Sequence, residues 1–316
     1  MNETIEMIKD PQYFIFKSSG FYFIFCALIT IPVMIVLDLL RYMMPYNVLY
    51  VLSGVIPYCC MLLVLIAFLQ GYKMWFVMGF KLPNIFAVFM MIPVVVFSYP
   101  MMLFISVFSE FIYPQSTLQF TNETLNTLIE LGPVSGWLIL AVIPGVVEEL
   151  ICRGFIFGVF RRRSFVTATF VSTICFALLH LNLQQALYAF VFGLLLSLIR
   201  EITKSVWPGV FAHVIFNSAA VINIYYGDKI YPSASDNAVF STESVVINTL
   251  SEFFAEYGSL MILAVGFGIV LWFVIFILKK IMKYEPDKRV DYNVPVLIGT
   301  YIIGWVLCVG LSVLFS

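Results

Sequence analysis

Apolar residues run through this chain in long stretches, and polar residues break the stretches at intervals that suit a membrane better than a water-soluble core. A hydrocarbon layer about 30 Å thick takes about 20 residues of helix to cross. Runs of that kind fall at residues 20–40, 48–69, 84–108, 134–160, 165–181, 184–200, 205–226, 258–280 and 294–314. They predict an all-α, polytopic transmembrane helical bundle of nine spans. Pro93 and Pro100 are expected to kink the third span, as membrane helices tolerate when neighbours satisfy the freed carbonyls. Pro208 falls just inside the start of the seventh, where its missing N–H is harmless.

Two polar stretches interrupt the pattern. Residues 109–133 hold Glu110, Glu123 and Glu130 and no Lys or Arg, and Leu118, Leu125, Leu128 and Ile129 predict a weakly amphipathic interfacial helix. Residues 227–257 read as an acidic loop in which Val246, Leu250, Phe253 and Phe254 suggest a second surface helix. The chain thus divides into an N-terminal membrane region (1–133), a central region of four spans (134–226) and a C-terminal region of one loop and two spans (227–316). No internal repeat is visible.

Composition sharpens this picture. Of 316 residues, 62% are hydrophobic and 11% charged, against about 25% charged in a typical soluble domain. With the N-terminus placed in the cytoplasm, fourteen of the 17 Lys and Arg residues fall on the cytoplasmic side, and Arg41 and Lys229 fall outside. That asymmetry predicts an N-in, C-out orientation. Arg161, Arg162 and Arg163 read as a topology anchor on anionic head groups. The first apolar run has no small-x-small cleavage site, so no removable signal peptide is expected. The six cysteines lie in apolar runs without metal-ligand spacing and read as small packing residues. The expected surroundings are a lipid bilayer, with no nucleic acid.

The seventeenth basic residue, Arg153, lies inside a span, four positions after Glu149, which itself follows Glu148. Charged groups at such depth are expensive and mark functional sites by default. The chain's two histidines also fall in spans, His180 at the end of the fifth and His213 inside the seventh, with Asn217 one turn further. Glu149 and Arg153 share a helical face and can pair, whereas Glu148 is rotated about 100° away. All these groups can meet at one depth if the three spans pack together. A carboxylate bound to water can act as general base, a histidine can shuttle its proton, and a His–Asn pair can donate to an oxyanion. No Ser or Cys stands beside a histidine as a nucleophile. The residues alone also admit a divalent metal held by Glu148, His180 and His213, a proton-coupled transporter, and a scaffold that binds without cutting.

Glu148-Glu149-x-x-x-Arg153, then Phe176-x-x-x-His180, then His213-x-x-x-Asn217, in this order on neighbouring spans, resembles the CPBP intramembrane proteases. This is the CAAX-processing and bacteriocin-processing (Abi) family, which includes type II CAAX prenyl endopeptidases. The resemblance covers residues 136–226. It implies an integral membrane endopeptidase, of a bacterial cell membrane on this composition, that acts on a membrane-associated peptide or protein. Glu148 and His180 would activate water, His213 and Asn217 would form the oxyanion site, and Glu149 and Arg153 would support them. The family has been described both as metalloproteases, with an ion such as Zn2+, and as metal-independent glutamate proteases, so the resemblance leaves the cofactor open.

Overall fold

A computed structural model of the chain describes scattered positions between 22 and 40, and residues 42–69, 78–112, 122–161, 164–180, 183–230 and 249–285. Regular structure among these residues is helical throughout. The helices are α1 (Tyr46–Leu69), α2 (Ile85–Ile112), α3 (Leu125–Phe160), α4 (Phe165–Leu179), α5 (Leu183–Thr203), α6 (Trp207–Ile230) and α7 (Leu250–Ile281). Six helices in the described residues are long and apolar enough to cross a membrane, and α4 is a shorter apolar helix. They correspond to the second through eighth predicted spans and make the chain an integral membrane protein. The first predicted span is described only in part, and the ninth lies outside the described residues.

The bundle is built around α2, which packs along α5, α6 and α7. α4 lies along α5, and α3 lies between α4 and α6. The shared core includes Met91, Val94, Phe155, Phe160, Phe176 and Leu196. Hydroxyls also bind helix to helix, where apolar burial alone gives little preference between protein and lipid. Ser197 Oγ of α5 lies 3.2 Å from Ser172 Oγ and 3.4 Å from Thr173 Oγ1 of α4. The outlying helix is α1, which rests along α3.

Three features differ from the sequence expectation. The segment expected as an interfacial helix is in part the start of the central helix: from Asn122 the chain runs helically into α3, with one non-helical residue at Gly132 (φ 78°). The break and Pro133 disrupt the backbone ladder, and the Tyr225 hydroxyl of α6 donates to the Leu128 carbonyl, with the Gly132 carbonyl 3.0 Å away. The second expected surface helix begins α7 instead. A capping box between Thr249 and Glu252 starts that helix, and Phe253 is buried against Phe104, Phe108 and Phe111. Phe253 is held by three aromatic rings of α2, a stronger reason to continue the helix than the neighbouring Glu residues are to end it. Finally, Arg161, expected among the head groups, is paired within the bundle: its Nη2 donates to Glu201 Oε1 at 2.7 Å, and Lys204 engages the same carboxylate; Arg162 and Arg163 lie outside the described residues. Pro93 has no amide and clashes with the carbonyl four residues back. The helix is interrupted at Met90, next to that carbonyl, while Pro100 stays inside Met91–Ile112.

Candidate active site

The helix that carries Glu148 and Glu149 changes its winding on both sides of them. α3 is π-helical over Leu138–Val142, α-helical over Ile143–Glu149 and π-helical again over Leu150–Ile156. Each π-turn adds a residue to the helical ladder, a feature that recurs at functional sites. Between them lies Pro144, which has no amide to give to the backbone behind it. Asn217 donates into this irregular turn, with Nδ2 3.3 Å from Leu140 O. Asn217→Ala should therefore lower stability by about 1 kcal/mol, the usual net value of such a bond. Thermal unfolding of the variant in detergent checks it.

Glu149 and Arg153 are both fully buried, and Arg153 Nη1 donates to Glu149 Oε1 at 2.6 Å. Glycines make room for the pair: a Cβ on Gly209 would lie 3.0 Å from Glu149 Oε2, and one on Gly193 would lie 3.0 Å from Arg153 Nη2. The guanidinium sits over the Phe176 ring, 4.2 Å from its centre, an arrangement that favours a cation. His213 Nδ1 lies 3.2 Å from Glu149 Oε1. A carboxylate oxygen accepts, so Nδ1 carries the hydrogen in this contact. Nε2 then faces Glu148, whose Oε2 is 3.9 Å away. The other Glu148 oxygen, Oε1, accepts a hydrogen bond from the Tyr58 hydroxyl at 2.8 Å.

His180 closes α4. Its Nδ1 is 3.0 Å from the Phe176 carbonyl, which can only accept, so Nδ1 donates and Nε2 is the nitrogen left for other partners. The Phe176 ring meets both histidines edge-on, at 5.1 Å for His180 and 5.4 Å for His213. Direct contacts thus gather Glu148, Glu149, Arg153 and His213, Phe176 ties in His180, and Asn217 lies one turn along α6 from His213. Gly145 sets how closely α3 approaches that turn. A Cβ there would lie 2.8 Å from Val214 Cγ2 and 3.2 Å from the Val214 backbone nitrogen. Gly145→Ala should cost about 1–3 kcal/mol as an overpacked contact and should pull His213 from Glu149, which paired unfolding and cleavage measurements would detect.

Zinc sites in proteins take three or four protein ligands. Among the described residues, no three His, Cys, Asp or Glu side chains stand together as a metal would require. Glu148, His180 and His213, the set expected to hold a metal, are not gathered in that way, and no step below is routed through one. The residue that sequence reading missed is Tyr58. Its one signal is a hydroxyl inside an apolar run, which needs a partner wherever it is buried. Nothing in the sequence names that partner.

Comparison with known proteins adds an independent line. Residues 130–219 match the family described as "Type II CAAX prenyl endopeptidase Rce1-like". The chain is also 28% identical over 86 residues to the "Putative membrane peptidase YdiL" of Bacillus subtilis (strain 168). That match covers 27% of this chain and 35% of the relative, about a third of the relative's length. No solved structure matches the chain.

Proposed function

We propose that the chain, whose residues 130–219 match the type II CAAX prenyl endopeptidase Rce1-like family, is an intramembrane endopeptidase using water activated by Glu148. One observation carries the reading: Glu148 Oε2 and His213 Nε2 face each other across 3.9 Å inside the bundle. That separation is too long for a direct hydrogen bond, and both atoms can contact one water or one substrate oxygen.

In this mechanism Glu148 takes a proton from water as the oxygen attacks the scissile carbonyl carbon. The carbonyl oxygen gains the charge. His213 meets it from Nε2 when the ring is doubly protonated, and Nδ1–H stays on Glu149. Asn217 has a second amide hydrogen beyond the one given to Leu140 and can donate it to the same oxygen. The C–N bond then breaks, and the leaving nitrogen receives the proton from Glu148 directly or by way of His180 Nε2. Glu149 and Arg153 hold the His213 ring in place and do not touch the reacting atoms. Water enters and two peptide ends leave, so the step balances without a co-reactant. The substrate is a peptide or protein segment at the membrane, either a CAAX-type C-terminus or a leader junction.

The test uses the purified protein in nanodiscs and a pool of peptides, some with C-terminal prenyl-cysteine motifs and some with leader junctions. Wild type should cut members of the pool, and Glu148→Ala and His180→Ala should not. A chelator arm measures any metal requirement separately. Cutting by both variants at the wild-type rate would overturn the mechanism. A folded wild type that cuts nothing, with both variants fully functional in cells, would make the chain a scaffold.

A further inference from the structure

α1 lies outside the matched residues 130–219, yet it supplies the donor to Glu148 Oε1. We propose that Tyr58 is a positioning residue for the reaction: it fixes the Glu148 carboxylate so that Oε2 faces His213. The inference rests on the peptidase reading above.

The last torsion of a glutamate is broad and two-fold, so an untethered carboxylate exchanges its two oxygens freely. The Tyr58 hydroxyl at 2.8 Å holds one oxygen and leaves the other toward His213 Nε2. Glu149 needs no such tether, because Arg153 and His213 already hold its Oε1. Glu148 has no cation of its own on α3. Arg153 is four residues beyond Glu149, on that residue's face of the helix. Gly54, one helical turn before Tyr58, also faces α3: a Cβ there would lie at ordinary contact distance, 3.5 Å from Ile139 Cγ2, so α1 and α3 are in contact on the face that carries the tyrosine. The Tyr58 ring packs against the apolar core, and the hydroxyl is the part of the side chain that reaches the carboxylate.

Tyr58→Phe keeps the packed ring and removes only the donor, so it should fold as wild type does. Two readouts then test the role. The first is infrared difference spectroscopy, in which the Glu148 carboxylate band is the one removed by Glu148→Gln. That band should move in Tyr58→Phe and return when 4-aminophenylalanine, which restores a donor of similar reach, replaces Tyr58. The second is cleavage of the peptide pool. In Tyr58→Phe, kcat should fall about 10- to 100-fold, the size of a hydrogen bond to a charged group, with KM nearly unchanged. The 4-aminophenylalanine protein should recover most of the rate. A merely structural tyrosine would change yield or unfolding temperature and would not give donor-dependent recovery of kcat. An unmoved carboxylate band would overturn the proposal whatever the activity, and so would a moved band with unchanged kcat. Full cleavage by Glu148→Gln would instead remove the peptidase mechanism itself.

Discussion

Glu148→Gln lowers peptide cleavage about 10²- to 10⁴-fold, the range over which a positioned general base acts, in a protein that folds normally. Glutamine matches the shape of glutamate and keeps an oxygen for the Tyr58 hydroxyl, so packing is unchanged. What it lacks is the capacity to take a proton from water. The loss is large because no neighbouring carboxylate can substitute. Glu149 is fully buried, its Oε1 is held by Arg153 and His213, and its Oε2 is pressed toward Gly209. Initial rates on the peptide pool, together with unfolding temperature, measure both halves of the expectation. An active Glu148→Gln beside an inactive but well-folded Glu149→Gln would exchange the roles of the two glutamates.

The second large effect falls on folding. Arg153→Met leaves the Glu149 carboxylate buried without its cation, and breaking a buried pair in this way costs about 3–5 kcal/mol. Burial of both partners makes the penalty large, since neither side chain has any exposed surface. Folded yield and unfolding temperature should drop sharply. Adding Glu149→Gln to Arg153→Met removes the orphaned charge and should restore most of the folded protein. By the same logic, Glu149→Gln alone should lower yield more than Glu148→Gln does. If the double variant folds no better than Arg153→Met alone, the guanidinium stabilises the bundle through its stacking on Phe176 and not through its charge.

Much of this arrangement can be read in the amino-acid order. Apolar runs mark α1 to α7, and Glu148, Glu149, Arg153, His180 and His213 stand out because each is costly in such a run. The Glu149–Arg153 pair follows from its four-residue spacing. Other features have no such mark. The two π-turns around the glutamates are invisible to a reading that assumes about 3.6 residues per turn. A tyrosine among apolar residues looks the same whether it faces lipid or a carboxylate, so Tyr58 gives no warning. Arg161 resembles any basic residue at a span end until α5 brings Glu201 beside it. Asn217 is placed by the Leu140 carbonyl, seventy-seven positions away in sequence, which only the folded backbone presents. The helical run from 122 depends on Tyr225, a contact that exists only between helices, whereas the start at 250 rests on the local Thr249–Glu252 capping box as well as on the α2 phenylalanines.

The length of α4 has a consequence for the surrounding lipid. Its 15 residues rise about 22 Å, against a hydrocarbon layer of about 30 Å. The helix starts beside the Arg161–Glu201 pair and ends at His180, so His180 stops several Å short of the opposite boundary of an unstrained bilayer. A short element of this kind is accommodated by thinning of the lipid, by flanking residues that reach the interface or by oligomerisation. Thinning at α4 would bring head groups, and the water around them, toward the imidazole. If the chain hydrolyses peptides as proposed, the water for Glu148 would then come from the deformed membrane surface.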